Sequence, residues 1–228
     1  MDSLFCLKCC FSNTTKSVPV VYSNIELDSD YMGNEVVLLK NSKRICGAGG
    51  ALTTAPLVQS KSYFEVKIQQ NGYWAIGLAS KSSNLNSSRG GSDAYSWCLC
   101  SDNAIRHNDQ EISRVNSVAA EPHINSFTDE TKLIPHDTQG IESIDTSSNA
   151  TTSNFPAEGD TIGVTYDHVE LNFYLNGKNL EVPTLNVKGT VFPVVYVDDG
   201  AILDIVLDNF AFGPPYGFNA IMLEQSIL

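Results

Sequence analysis

Residues Gly159 to Gly177 read GDTIGVTYDHVELNFYLNG, and within them Leu171, Phe173 and Leu175 alternate with Asn172, Tyr174 and Asn176. A period of two puts one set of side chains on one face of a pleated strand, so the run predicts two strands joined by a turn at Tyr166 to His168. Asn176-Gly177 tolerates positive φ at both central positions of a type I′ turn, whose twist lets antiparallel strands pair without splaying. An almost wholly apolar third strand follows at Val191 to Val197, VFPVVYV.

The same grammar extends in both directions. Tyr63 to Ile68 (YFEVKI) and Tyr73 to Ala79 (YWAIGLA) flank Asn71-Gly72 at hairpin spacing and are expected to pair as neighbours. Tyr95, Trp97 and Leu99 alternate again, Asp102-Asn103 supplies a turn, and Ile105 to His107 reads as the returning strand. Nearer the start, Val18 to Tyr22, Val36 to Leu39 and Arg44 to Cys46 are β-prone, with a turn at Asn41-Ser42. Ala201 to Leu207 is a further apolar strand, closed by the proline-broken Gly213 to Phe218. No amphipathic helix and no fixed-period repeat is legible, which predicts an all-β, two-sheet sandwich.

Two stretches break the pattern. Ser80 to Asp93 is polar and glycine-rich, an exposed loop too long for a hairpin turn. Residues 116–155 contain Glu121, Asp129, Glu130, Asp137, Glu142 and Asp145 against Lys132 alone, with the low-complexity run SIDTSSNATTSN. Such low hydrophobicity does not repay the entropy of ordering, so a disordered acidic insertion is expected there. The chain then divides into a Cys-rich tail at 1–17 and one sandwich domain at 18–228 interrupted by the insertion, with a monomer expected.

Composition excludes several classes of partner. The 228 residues carry 14 Lys+Arg against 26 Asp+Glu, a net charge of -12, which works against binding a nucleic-acid backbone. No apolar run approaches the ~20 residues of a bilayer span, and the N-terminus lacks a basic leader, so a cytoplasmic protein is expected.

Taken in order, YFEVKI, WAIGLA, YSWCLCSDNAIRHN, EGDTIGVTYDHVELNFYLNGK, VFPVVYV and PPYGF resemble the succession found in SPRY domains. The resemblance implies a bent antiparallel two-sheet β-sandwich of the concanavalin-like jelly-roll kind, B30.2-like, presenting loops to a protein partner and lacking catalytic machinery. Asn103 stands where a glycine is more usual, a tolerable change because Asn enters the left-handed region readily. The acidic insertion has no counterpart in the family pattern.

Loops on a rigid sandwich commonly hold binding groups, which nominates Arg89, Ser92, Asp93, Arg106, Asn108, Asp198 and Asp199 as contacts for a protein partner. Trp97 and Tyr73 are aromatic anchors or core residues. Cys6, Cys9 and Cys10 sit among Leu4, Phe5, Leu7 and Phe11, a tail suited to S-acylation and peripheral membrane attachment. Cys6-x-x-Cys9 has no second pair at zinc spacing, since Cys98-x-Cys100 lies on an alternating strand, and no metal or other cofactor is expected. Cys46 to Gly50, CGAGG, lacks the Gly-Lys-Ser/Thr and helix of a phosphate loop and reads as a bulge or close strand approach. His168 beside Asp167 has no accompanying nucleophile, and no enzyme is expected. A lectin-like sandwich is the alternative reading to an adaptor module.

Overall fold

The computed structural model describes residues 24–115 and 156–223. The Cys6, Cys9 and Cys10 tail, the Val18 to Tyr22 run and the 116–155 segment lie outside the described residues.

Among the described residues fifteen strands follow one another: β1 (Leu27–Met32), β2 (Glu35–Leu39), β3 (Arg44–Thr53), β4 (Ser62–Gln70), β5 (Tyr73–Ala79), β6 (Ser96–Cys100), β7 (Ala104–His107), β8 (Gln110–Arg114), β9 (Thr161–Tyr166), β10 (Glu170–Leu175), β11 (Lys178–Asn179), β12 (Thr184–Leu185), β13 (Phe192–Asp198), β14 (Ile202–Val206) and β15 (Asn219–Ala220). No helix occurs among the described residues. One layer runs β11-β10-β9-β4-β14, takes in the first half of β3 and ends on β2, while the other starts on β1, takes in the second half of β3 and continues β13-β5-β6-β7-β8. All pairs are antiparallel except β15 beside β4.

The bend is made by β3 itself. Arg44 and Ile45 pair with Asp204 and Leu203 of β14, and Gly49 to Leu52 pair with Val197 to Val194 of β13. The glycines of Cys46 to Gly50 lie where the strand passes between layers. Gly47 has φ 96° and its missing Cβ would strike the Glu35 carbonyl, so the run is a close strand approach, as its sequence predicted.

The expected pairing of β4 with β5 is not found. Gln70 ends against Ile202 of β14, whereas Tyr73 begins against Asp198 of β13, so Asn71-Gly72 is a corner between layers and not a hairpin turn. The Asp199-Gly200 turn changes layers beside it, and a Cβ on Gly72 would meet the Asp199 and Asp198 carbonyls and the Ala201 amide. β5 is buried along almost its whole length and β4 from Ser62 to Val66 and at Ile68, so each is satisfied in the middle of a different sheet. The hairpin at Asn176-Gly177 does form, with φ 50° and 80°, although its second strand is the two-residue β11 and β13 lies in the other layer.

The main core fills the space between layers with Ile45, Phe64, Ile68, Trp74, Ile76, Leu99, Val164, Phe173 and Leu203 among others. A second cluster, Leu52, Ala75, Ala79, Cys98, Cys100, Phe192, Val194 and Tyr196, lies on the outer face of the β13-β5-β6 layer with Tyr31 and Leu85 over it. Alternation in β6 and β13 sends odd and even residues into different clusters, so neither strand shows a polar face. Each large side chain so enclosed contributes about 1.5–3 kcal/mol.

Candidate functional site

The Ser80 to Asp93 loop is what covers that outer face. Gly90 packs against Ala75, Tyr196 and the Cys98 sulfur, too close for any Cβ. Leu85 accepts a hydrogen bond from the Gly50 amide at 2.8 Å, and Asn86 accepts one from the Asn34 amide at 2.8 Å. Although polar and aperiodic in sequence, the loop is therefore fastened to β3 and to the β1–β2 turn.

Asp93 is the knot of this loop. Its carboxylate accepts from the Asn84 amide at 2.7 Å, the Tyr95 amide at 2.8 Å and the Ser96 hydroxyl at 3.0 Å. Asn108 and Asp109 form the β7–β8 turn at φ 53° and 57°, and their amides donate to the Asp93 and Gly91 carbonyls at 2.9 Å each. Asp93 and Asn108 thus hold loop and turn together.

Between loop and sheet lies a pocket of about 90 Å³ lined by Tyr73, Arg89, Gly90, Ser92, Asp102, Arg106 and Asp109. Three of the seven sequence-nominated residues, Arg89, Ser92 and Arg106, meet here. Asp198 is opposite Tyr73 in the β5–β13 ladder, yet neither it nor Asp199 lines the pocket. Asp198 instead accepts from the Asp199 amide at 2.7 Å and shapes its own turn. In the sequence Tyr73 reads as an aromatic anchor or core residue and Asp102 as a turn residue, and the structure adds Asp109 to them. Their convergence follows from the β5-β6-β7 order, which local spacing does not encode.

Electrostatically the floor is closed and the mouth open. Arg106 donates two parallel hydrogen bonds to Asp102, the first at 2.7 Å. This fork holds the Asp102 carboxyl below its usual range and the guanidinium above its own. Burial pushes the Cys100 thiol up, only partly opposed by Arg106 and Tyr73, and burial likewise raises the Tyr73 phenol, so both are neutral at physiological pH. Arg89 is exposed, and its guanidinium has no hydrogen-bond or ion-pair partner among the described residues. The pocket offers one free guanidinium, one exposed carboxylate at Asp109, a hydroxyl and a neutral phenol.

Elsewhere, residues with reactive side chains are engaged structurally. The His168 ring nitrogen Nε2 lies 2.8 Å from the Gln59 carbonyl, to which it donates. Trp97 is 5% exposed and stacks on His107 at the rim of the main core. Asp204 on β14 is bonded by Arg44 and Lys40.

The SPRY domain profile matches residues 61–210. The human "SPRY domain-containing protein 7" is 42% identical over 225 residues, covering 98% of this chain and 97% of that protein. The Gallus gallus protein of the same name is 40% identical over 223 residues, covering 97% and 96%. Among solved structures, the TRIM65 PSpry domain aligns with a TM-score of 0.51 at 13% identity, covering 80% of this chain and 89% of that one. The SPRY domain of human HERC1 aligns at 0.50 and 13% identity, covering 79% and 96%. A profile spanning β4 to β14, near-full-length relatives at 40–42% identity and a shared bent two-layer architecture make this chain a member of the SPRY-domain family.

Proposed function

We propose that this protein is a non-enzymatic adaptor that captures one polar side chain from an exposed loop or peptide of a partner in the Arg89–Arg106 pocket. SPRY domains are in general protein-interaction modules, and the size of the pocket carries the finer reading. About 90 Å³ accommodates a single side chain, far short of the roughly 300–1,000 Å³ of small-molecule sites. Rigid walls spare the ordering cost on this side of the interface. Arg89 supports recognition of a carboxylate or carbonyl, and Asp109 supports that of a neighbouring amide or cation.

Proximity labelling with the full chain in cells tests this. In an Arg89→Glu, Asp109→Lys variant with unchanged thermal stability, partners using the pocket are expected to fall about tenfold, the effect of losing ~1.4 kcal/mol of binding. An unchanged labelling profile removes the pocket from the interface.

A further inference from the structure

Among the described residues no strand pairs with the outer edge of β8. Trp97 and His107, cross-strand partners on β6 and β7, stack with ring centroids 4.5 Å apart and planes 7° from parallel. Two adjoining cavities of about 360 and 500 Å³ open over this stack, sharing Trp97, His107 and Asn186. Ile112 of β8 and Leu185 of β12 face the first, and Tyr95 and Lys188 the second. Exposed large apolar residues gather here, with Ile112 at 46%, Tyr95 at 50% and Leu185 at 55%. Ile112 is the extra residue of an irregularity in the β7–β8 ladder, where Ile105 pairs with Ser113 and Arg106 with Glu111.

The charge of the groove is unlike that of the chain. In a molecule of net charge -12, no Asp or Glu among the described residues lines either cavity, whereas Lys188 and His107 do. His107 Nδ1 lies 2.9 Å from the Ser96 carbonyl and donates to it, leaving Nε2 free of any partner among the described residues. In the neutral ring that nitrogen accepts, a fit for a backbone amide laid across the stack.

We propose that this groove is a second docking site, taking a short extended segment of a partner protein in which an aliphatic or aromatic side chain neighbours a carboxylate. The apolar group enters between Ile112 and Leu185 over the His107 face, and the carboxylate meets Lys188. An acidic segment is repelled by the rest of this acidic surface, so the groove selects its register by the contrast in charge. The site is separate from the Arg89–Arg106 pocket because alternation along β6 sends Trp97 to the space between layers and Cys98 and Cys100 to the outer face.

The test uses the full chain and fluorescein-labelled short synthetic peptides read by anisotropy. One set carries a leucine flanked by glutamates, a second has lysines for the glutamates, and a third has alanine for the leucine. The first set is expected to bind, with Leu185→Asp and Lys188→Glu each weakening it about tenfold or more. Both substituted side chains are exposed, and matched melting temperatures verify that the fold is kept. Absence of binding, equal binding of the lysine or alanine sets, or indifference to both substitutions overturns the proposal. A benzophenone amino acid in place of Ile112 reads the occupant directly. A cross-link to the peptide supports the site, and one to a second copy or to residues 116–155 of the same chain overturns it.

Discussion

Glu65 shows how a charged residue on a sheet strand becomes a clamp. It is fully buried on β4, and its carboxylate accepts from the Tyr63 hydroxyl at 2.8 Å and from the consecutive amides of Ala211, Phe212 and Gly213 at 2.7, 3.0 and 3.0 Å. Four donors offset the cost of burying a carboxylate, and they fasten the segment leading to β15. Glu65→Ala leaves those amides unpaired and is expected to cost about 3–5 kcal/mol in urea denaturation. Glu65→Gln, which keeps one acceptor but sets an NH2 group among donors, is expected to fall between alanine and wild type. A second residue-scale device gives a pH signature. Burial opposes ionisation of Asp204, but hydrogen bonds from Arg44 and Lys40 overcome it and hold the carboxyl below its usual range. A depressed folded-state pKa contributes stability that is present above the unfolded value and lost as pH falls through the folded one. Denaturation from pH 7 down to about 2 is therefore expected to show a loss beginning near pH 4, and Asp204→Asn to be weaker at pH 7 with that part of the slope flattened.

At the scale of elements, β3 is the strand on which the architecture turns. A Gly47→Ala change would force a φ of 96° on a residue with a Cβ and drive that carbon into the Glu35 carbonyl. The expected loss is about 2 kcal/mol or more, a fall of roughly 4–8 °C in melting temperature by calorimetry. Local sequence located most strands because their alternation or apolar runs match the pleat, as in β5, β9, β10 and β14. It did not reveal β1, LDSDYM, where Asp28, Ser29 and Asp30 disfavour a strand and only pairing with β3 and burial of Leu27 impose one. It also misassigned the neighbour of β4, because Asn71-Gly72 serves a corner as well as a hairpin, and the choice rests on which strands offer buried faces. The candidate site was legible in part for the same reason. Arg89, Ser92 and Arg106 stood out as loop or strand-end polar residues, but Tyr73, Asp102 and Asp109 join them only through the order of strands.

On the scale of the whole molecule, the tail and the pocket pose separable questions. Cys6, Cys9 and Cys10 lie outside the described residues, and we propose that they carry S-acyl chains, since two chains hold a membrane far better than one. Acyl-exchange labelling from cells is expected to give a signal in wild type that disappears when all three are changed to Ser. Absence of signal in wild type removes the anchor without touching the pocket.

The sequence by itself determined the class, the family and most of the strands, because a period of two, the chemistry of Asn-Gly turns and an ordered set of motifs are local properties of the chain. Its acidity likewise argued against nucleic acid without any structure. Only the tertiary structure decided that an aperiodic polar loop is fastened over the outer sheet by Asp93, that an apparent hairpin is a corner, and that a groove lined by no carboxylate among the described residues opens beside β8. Those outcomes depend on contacts between residues far apart in the chain, whose free energy comes from burial and hydrogen bonds that no window of neighbouring residues contains.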